Sequence, residues 1–252
     1  MKKLRVMKVA FDTTIEPYEI PAFRGAIASK VGLEHEWFHN HNNAGLKELP
    51  AHVDAYTEDQ QQFHNRYPLI QYKISANRHQ MRPMMMCLGE CVEEAHKFFS
   101  KSDWTVNLNG RLQTLSISDL QVNQYNIRTW DQEFYYNIFR WQALNSDNWR
   151  EYQKLEGIVE QTQLLENILA GHIKAFVQGI GWDITETITP KILHIKNEKW
   201  ISYKKVKVKC FDLSFKTNVF LPEFIGLGKG VAKGLGVVRK RVEERKQFKR
   251  RT

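Results

Sequence analysis

Apolar and polar positions alternate along residues 3–11 (LRVMKVAFD), with basic residues in several of the polar slots, and this period of two predicts a β-strand. Residues 21–31 (PAFRGAIASKV) predict a short helix opened by Pro21, whose missing N–H costs nothing at a helix start. A polar, glycine-containing loop is expected from about 40 to 66. Residues 67–75 (YPLIQYKIS) read as a strong strand and 84–89 (MMMCLG) as another. Within 90–100, Cys91, Ala95, Phe98 and Phe99 fall on one helical face, and 112–118 (LQTLSIS) alternates as a strand. The order strand, helix, strand, strand, helix, strand is that of a ferredoxin-like unit.

A second unit follows. Residues 124–142 are rich in aromatics and read as a strand or linker. Residues 147–178 carry a helical pattern, with Gly171 as a candidate interruption. Residues 183–195 and 200–219 have the β-branched and aromatic content of strands, with a turn expected at Asn197–Lys199. A glycine-rich loop and a last strand complete the unit. The expectation is an α+β fold of two tandem ferredoxin-like (RRM-like) domains, 1–122 and 123–252, with a C-terminal glycine-rich loop.

Composition narrows the function classes. Hydrophobic residues make up 42% of the 252 positions, enough for a packed core, so a disordered chain is excluded. Cys87, Cys91 and Cys210 are too few and too scattered for a disulfide framework or a zinc ribbon, and read as buried thiols in a reducing cytosol. No signal-like segment and no run of 18 apolar residues is present, so a cytoplasmic protein with no membrane span is expected. The net charge of +9 points to a polyanionic partner, although residues 239–252 alone hold eight basic residues, from Arg239, Lys240 and Arg241 to the C-terminus, against two acids.

The most specific stretch is FLPEFIGLGKGVAKGLGVV, residues 220–238, with Gly226, Gly228, Gly230, Gly234 and Gly236 interleaved with Lys229 and Lys233. Glycines let backbone N–H groups turn toward an anion, and lysines supply point charges for phosphates. A dinucleotide-binding G-x-G-x-x-G fails here, because Val231 and Lys233 stand where its third glycine would be. A P-loop fails as well, because Gly230 follows Lys229 in place of Ser or Thr.

NVFLPEFIGLGKGVAKGLGVV closely resembles the C-terminal signature of the CRISPR-associated repeat-processing endoribonucleases of the RAMP superfamily, a G-x-G-basic-x-x-x-x-G-Φ-G loop that falls here on Gly226, Gly228, Lys229, Gly234 and Gly236. YPLIQYK, residues 67–73, is similar to a strand of the same family. The resemblance implies tandem ferredoxin-like domains and cleavage of CRISPR repeat RNA without metal or other cofactor. The 2′-hydroxyl would attack the adjacent phosphate, leaving a 2′,3′-cyclic phosphate and a 5′-hydroxyl. It implies RNA contacts at Gly226, Gly228, Lys229, Gly230, Lys233, Gly234, Gly236 and Arg239. It also allows a homodimer and contacts with other CRISPR effector subunits.

That reaction needs a base, an acid and positive charge on the phosphorane. Histidine titrates near neutrality and suits both proton roles; lysine suits the third. Five of the nine histidines lie between 35 and 64. Relatives place a histidine, or a pair two residues apart, just after the first helix, and His39 and His41 match that position, with Lys47 where some relatives hold a lysine. Two alternatives stay open. The same fold serves as a non-catalytic RNA-binding subunit of effector complexes. More distantly, His35-Glu36-x-x-His39 fits the zinc-peptidase pattern, although Asn40, Asn42, Asn43 and Gly45 argue for a helix end there.

Overall fold

The computed structural model describes residues 1–32, 35–38, 66–77, 80–203 and 206–241. Its first unit contains β1 (Lys2–Phe11), α1 (Ile20–Val31), β2 (Ile70–Asn77), β3 (Gln80–Leu88), two short helices α2 (Cys91–Glu94) and α3 (His96–Phe99), the hairpin β4 (Thr105–Leu108) and β5 (Arg111–Thr114), and β6 (Ile117–Ile127). The main sheet is antiparallel in the order β2-β3-β1-β6. This is the ferredoxin-like order, because α1 carries the chain across and the β2–β3 hairpin fills the space between.

α1 starts with Pro21 in its first turn and buries Ile20, Phe23, Ile27, Ala28 and Val31, a single stripe at helical spacing. Phe23 meets Phe11 at 5.5 Å and Tyr72 at 5.9 Å between ring centroids, and Phe11 meets Phe98 at 6.1 Å. Each such ring contributes on the order of 2–3 kcal/mol by leaving water. The helix read over 90–100 is two single turns, though Cys91, Ala95 and Phe98 are buried as its periodicity implied. The strand read over 112–118 divides. Residues 111–114 close a small hairpin over the Asn109–Gly110 turn, both residues at positive φ, and the fourth sheet strand begins only at Ile117. β6 then pairs with β1 down to Ile127, so the division expected at 122/123 falls inside this strand.

The second unit comprises β7 (Thr129–Trp141), α4 (Ser146–Lys154), α5 (Ile158–Gly179), β8 (Lys191–Tyr203), β9 (Val206–Val219) and β10 (Val237–Lys240), with sheet order β10-β7-β9-β8. This is the same order again, with residues 220–236 standing where a second helix would cross. Asn145 caps α4, its side chain accepting from the Asn148 N–H at 2.7 Å. The helical stretch breaks at Leu155–Gly157, and α5 runs straight through Gly171. The turn expected at Asn197–Lys199 is not there: these residues lie within β8, which begins at Lys191 and takes up its irregularity in register shifts after Ile192 and Ile195. A polar triplet resembles a turn locally, yet pairing with β9 keeps it extended.

Candidate functional site: a glycine-rich loop clamped between two sheets

The strand β2 places its side chains alternately. Tyr72 points into the core beneath α1, whereas Gln71 and Lys73 point the other way and are both buried against the glycine-rich loop. Gln71 Oε1 accepts from the Gly226 N–H at 2.9 Å. Its Nε2 donates to the Tyr67 hydroxyl at 2.8 Å, and that hydroxyl donates to the Gly226 carbonyl at 2.8 Å. The ring is closed and fully satisfied, so it holds one geometry. Tyr67 also packs on Phe176 of α5 at 5.4 Å, tying the two units together. Burial pushes its phenol well above the ordinary range.

Further along, the Lys73 ammonium donates to the Val231 carbonyl at 2.8 Å, and the Tyr72 N–H donates to the Ala232 carbonyl at 3.3 Å. From the second sheet, Arg140 donates through Nη2 to the Gly234 carbonyl at 3.0 Å and accepts at its own carbonyl from the Gly236 N–H at 3.0 Å. The loop is therefore gripped from both sheets.

Close approach is what its glycines supply. At Gly236, with φ +62°, a Cβ would stand 1.9 Å from the Leu227 carbonyl oxygen. At Gly228, with φ +88°, it would stand 2.7 Å from the Gln142 carbonyl oxygen and 2.9 Å from Trp141 Nε1. The atoms approached at both positions are the protein's own. Two non-glycine residues with positive φ, Arg140 and Phe224, flank the same loop.

The cations of the loop separate into three groups. Lys229 is exposed on the side of the second unit, and its charge, after burial, helps to hold His172 down to about 4. His172 is thus neutral near pH 7 and accepts at Nδ1 from Trp141 Nε1 at 3.2 Å. Lys233 is half-buried on the first-unit side; burial and then the nearby Arg24 lower its ammonium below the ordinary range. Arg239 lies over the Phe224 ring at 4.0 Å, where Lys8 also sits at 5.1 Å, and its Nε pairs with Glu223 at 3.4 Å. Gly226, Gly234 and Gly236 are buried, whereas Gly228 and Gly230 are partly exposed.

Ala232 of the loop lines a small cleft with Arg24, Trp37, Phe38, Arg66 and Pro68. Arg66 stacks on Trp37 at 4.1 Å and pairs with Glu36 at 3.1 Å, and Arg24 Nη2 donates to the Phe38 carbonyl at 3.4 Å. The chain thus passes Phe38 beside the loop, one residue before His39. His39, His41 and Lys47 themselves lie outside the described residues. The zinc-peptidase pattern loses its footing, because α1 ends at Val31, residues 36–38 form a turn rather than a helix, and the Glu36 carboxylate is engaged by Arg66. Among the described residues no three metal-ligating side chains converge.

Residues 2–50 and 51–126 match the family model described as the Cas6b N-terminal domain, and residues 128–241 match the Cas6b C-terminal domain. The chain belongs to the Cas6b family. An uncharacterized protein of Methanocaldococcus jannaschii is 34% identical over 107 residues, which are 42% of this chain and 71% of that one. A crystal structure of Cas6b superposes with a TM-score of 0.75 at 22% identity, covering 95% of this chain and 100% of that chain. A second, of the CRISPR RNA processing endoribonuclease Cas6b, superposes at 0.65 with 20% identity and the same coverage. Csf5, a type IV Cas6 crRNA endonuclease, does so at 0.59 with 12% identity, covering 96% of this chain and 100% of that chain. The shared fold is the tandem ferredoxin-like arrangement described above.

In this Cas6b protein the residues that clamp the loop, Tyr67, Gln71, Lys73 and Arg140, and Arg24 of the adjoining cleft, were not singled out from the sequence as site residues. A signal for two of them existed: Gln71 and Lys73 are polar residues two apart in an otherwise apolar strand, and so share one face. Trp141 and Phe134, in the aromatic segment 124–142, serve packing: Trp141 is buried on Phe211, and Phe134 sits between Trp130 and Phe220.

Proposed function

We propose that this Cas6b protein is an endoribonuclease that binds CRISPR repeat RNA and cleaves precursor transcripts within each repeat. In this reading the 2′-hydroxyl at the cut attacks the neighbouring phosphate, with no metal required, and leaves a 2′,3′-cyclic phosphate and a 5′-hydroxyl. His41 and His39 carry the proton transfers and Lys47 balances the phosphorane charge. The glycine-rich loop, Lys229, Lys233 and Arg239 hold the RNA backbone. The same reading places the protein in the cytoplasm with its transcripts, and includes docking to other CRISPR effector subunits and self-association.

The observation that carries the proposal is one juxtaposition. Ala232 of the basic, glycine-rich loop shares a cleft with Phe38, the residue that leads directly into the segment of His39 and His41. Family membership and the name of the similar Cas6b endoribonuclease support the same activity.

The test is cleavage of cognate repeat RNA in EDTA by the wild type, His41→Ala and His39→Ala. Cyclic-phosphate ends from the wild type, with activity lost in at least one variant, are expected. Tight binding without cutting would make the protein a non-catalytic RNA-binding subunit and end the catalytic assignment. Loss of cutting in EDTA, restored by a divalent cation, would end the metal-free mechanism.

A further inference from the structure

Lys73 is 0% exposed in the seam between β2 and the glycine-rich loop. A Cβ on Gly226 would stand 2.8 Å from its ammonium nitrogen, so the loop closes directly over the charge. No carboxylate among the described residues pairs with it. Arg140 of β7 is a second cation beside it; Asp212 of β9 is occupied by the Arg140 N–H at 2.6 Å and by Lys199 at 2.7 Å. The Tyr67 phenol is engaged by Gly226 and Gln71, Met84 lies opposite Lys73 on β3, and His172 of α5 is neutral near pH 7. A buried ammonium without an acid costs stability, and a methionine would fill the same space without that cost.

What the ammonium adds is a grip on one peptide unit. In a trans peptide the C=O of one residue and the N–H of the next point in opposite directions. With the Val231 carbonyl drawn in to Lys73, the Ala232 N–H faces away from it, and among the described residues no acceptor meets that N–H. Ala232 lines the cleft that also holds Arg24, and Lys233 follows it in the chain. Resting on the RNA-processing reading above, we propose that Lys73 is a positioning residue for RNA. Its ammonium orients the Val231–Ala232 peptide so that the Ala232 N–H donates to an RNA phosphate beside Arg24 and Lys233, and loss of the Lys73 proton weakens the hold on that peptide.

Burial, and then Arg140, bring the Lys73 ammonium down to about 7, so the proton leaves within the neutral range. The grip is strongest below that pH; above it the neutral amine can still donate to the Val231 carbonyl but without charge assistance, and the grip weakens. RNA affinity therefore falls as pH rises through neutrality.

The experiment measures the affinity of the purified full chain for repeat RNA that is 2′-O-methylated throughout, so that it binds without being cut. Fluorescence anisotropy is followed from about pH 6 to about pH 8.5 for wild type, Lys73→Met and Lys73→Arg, with circular dichroism melts to confirm folding. The wild type is expected to weaken about tenfold across the range, Lys73→Met to bind weakly with a flat profile, and Lys73→Arg, a cation that does not titrate, to bind tightly with a flat profile. A folded Lys73→Met that keeps the wild-type affinity and pH profile would overturn the inference while leaving the RNA-processing reading intact. A wild type that binds no repeat RNA at any pH would overturn both.

Discussion

The backbone N–H of Arg140 donates to the Asp212 carboxylate at 2.6 Å, and the bond holds a left-handed residue, φ +50°, near the end of a β-strand. The register between β7 and β9 shifts at this point, between Ile138 and Trp141, as at a β-bulge. The consequence reaches the candidate site, because the bulged Arg140 offers its carbonyl to Gly236 and its guanidinium to Gly234. Replacing Asp212 by Ala removes a charge-assisted acceptor from a part-buried N–H. A loss of about 2 kcal/mol in unfolding free energy is expected, together with weaker RNA binding. Urea denaturation and an RNA titration of the Asp212→Ala variant check the two effects separately.

Two glycine-to-alanine changes should act in opposite directions. Gly236→Ala puts a Cβ 1.9 Å from the Leu227 carbonyl oxygen at φ +62°, where even an unobstructed alanine costs ~1–2 kcal/mol. The loss should exceed that figure and lower the midpoint of thermal unfolding sharply. Gly171→Ala, on α5 with nothing within 4 Å of the added carbon, should raise stability by ~0.5–1 kcal/mol. Equal effects at the two sites would contradict the close packing described for the loop.

Stability should also depend on pH through Lys73. Its ammonium is lowered from the ordinary 10.5 to about 7 in the folded chain, so between those values the unfolded chain binds more protons. Unfolding free energy then rises with pH across that window, by roughly 5 kcal/mol at most, and the cost of the buried charge is constant below it. Lys73→Met should remove the slope and be the more stable protein at pH 7. Chemical denaturation of both proteins across the window measures the difference, from which shared titrations cancel.

Lys229 is exposed, so its contribution to RNA binding is expected to be electrostatic and independent of sequence. Lys229→Ala should weaken binding to repeat and unrelated RNA alike and reduce the salt slope of log affinity by about 1. An unchanged slope would remove Lys229 from the RNA-binding set. Because its charge helps to hold the His172 imidazole down, the same variant should also raise the histidine's titration above about 4, which NMR can follow.

Local periodicity carried much of the fold. The alternation in residues 3–11, the apolar stripe of α1 and the YPLIQYK strand all reappear, because each segment's own pattern selects a face to bury. Where the sequence reading went astray, a distant partner decided. Asn197–Lys199 has turn residues, yet β9 pairs along it; residues 112–118 alternate as one strand, yet the Asn109–Gly110 hairpin takes the first half and β1 the second. Gly171 reads as a break, but the rest of α5 continues packing through it.

The candidate site divides along the same line. By itself the sequence determined that glycines and lysines cluster at 226–236, because composition and spacing are local, and it marked Gln71 and Lys73 as polar residues on one strand face. Only the tertiary structure decided that this face meets that loop. The hydrogen bonds from the Gly226 N–H to Gln71 and from Lys73 to the Val231 carbonyl span 155 and 158 residues, and no local pattern encodes a contact of that separation. It also sent Lys229 and Lys233 to opposite units, since the direction of each side chain is set by the backbone turns at Gly228, Gly230 and Gly234, and those turns are held by two sheets that the loop itself does not contain.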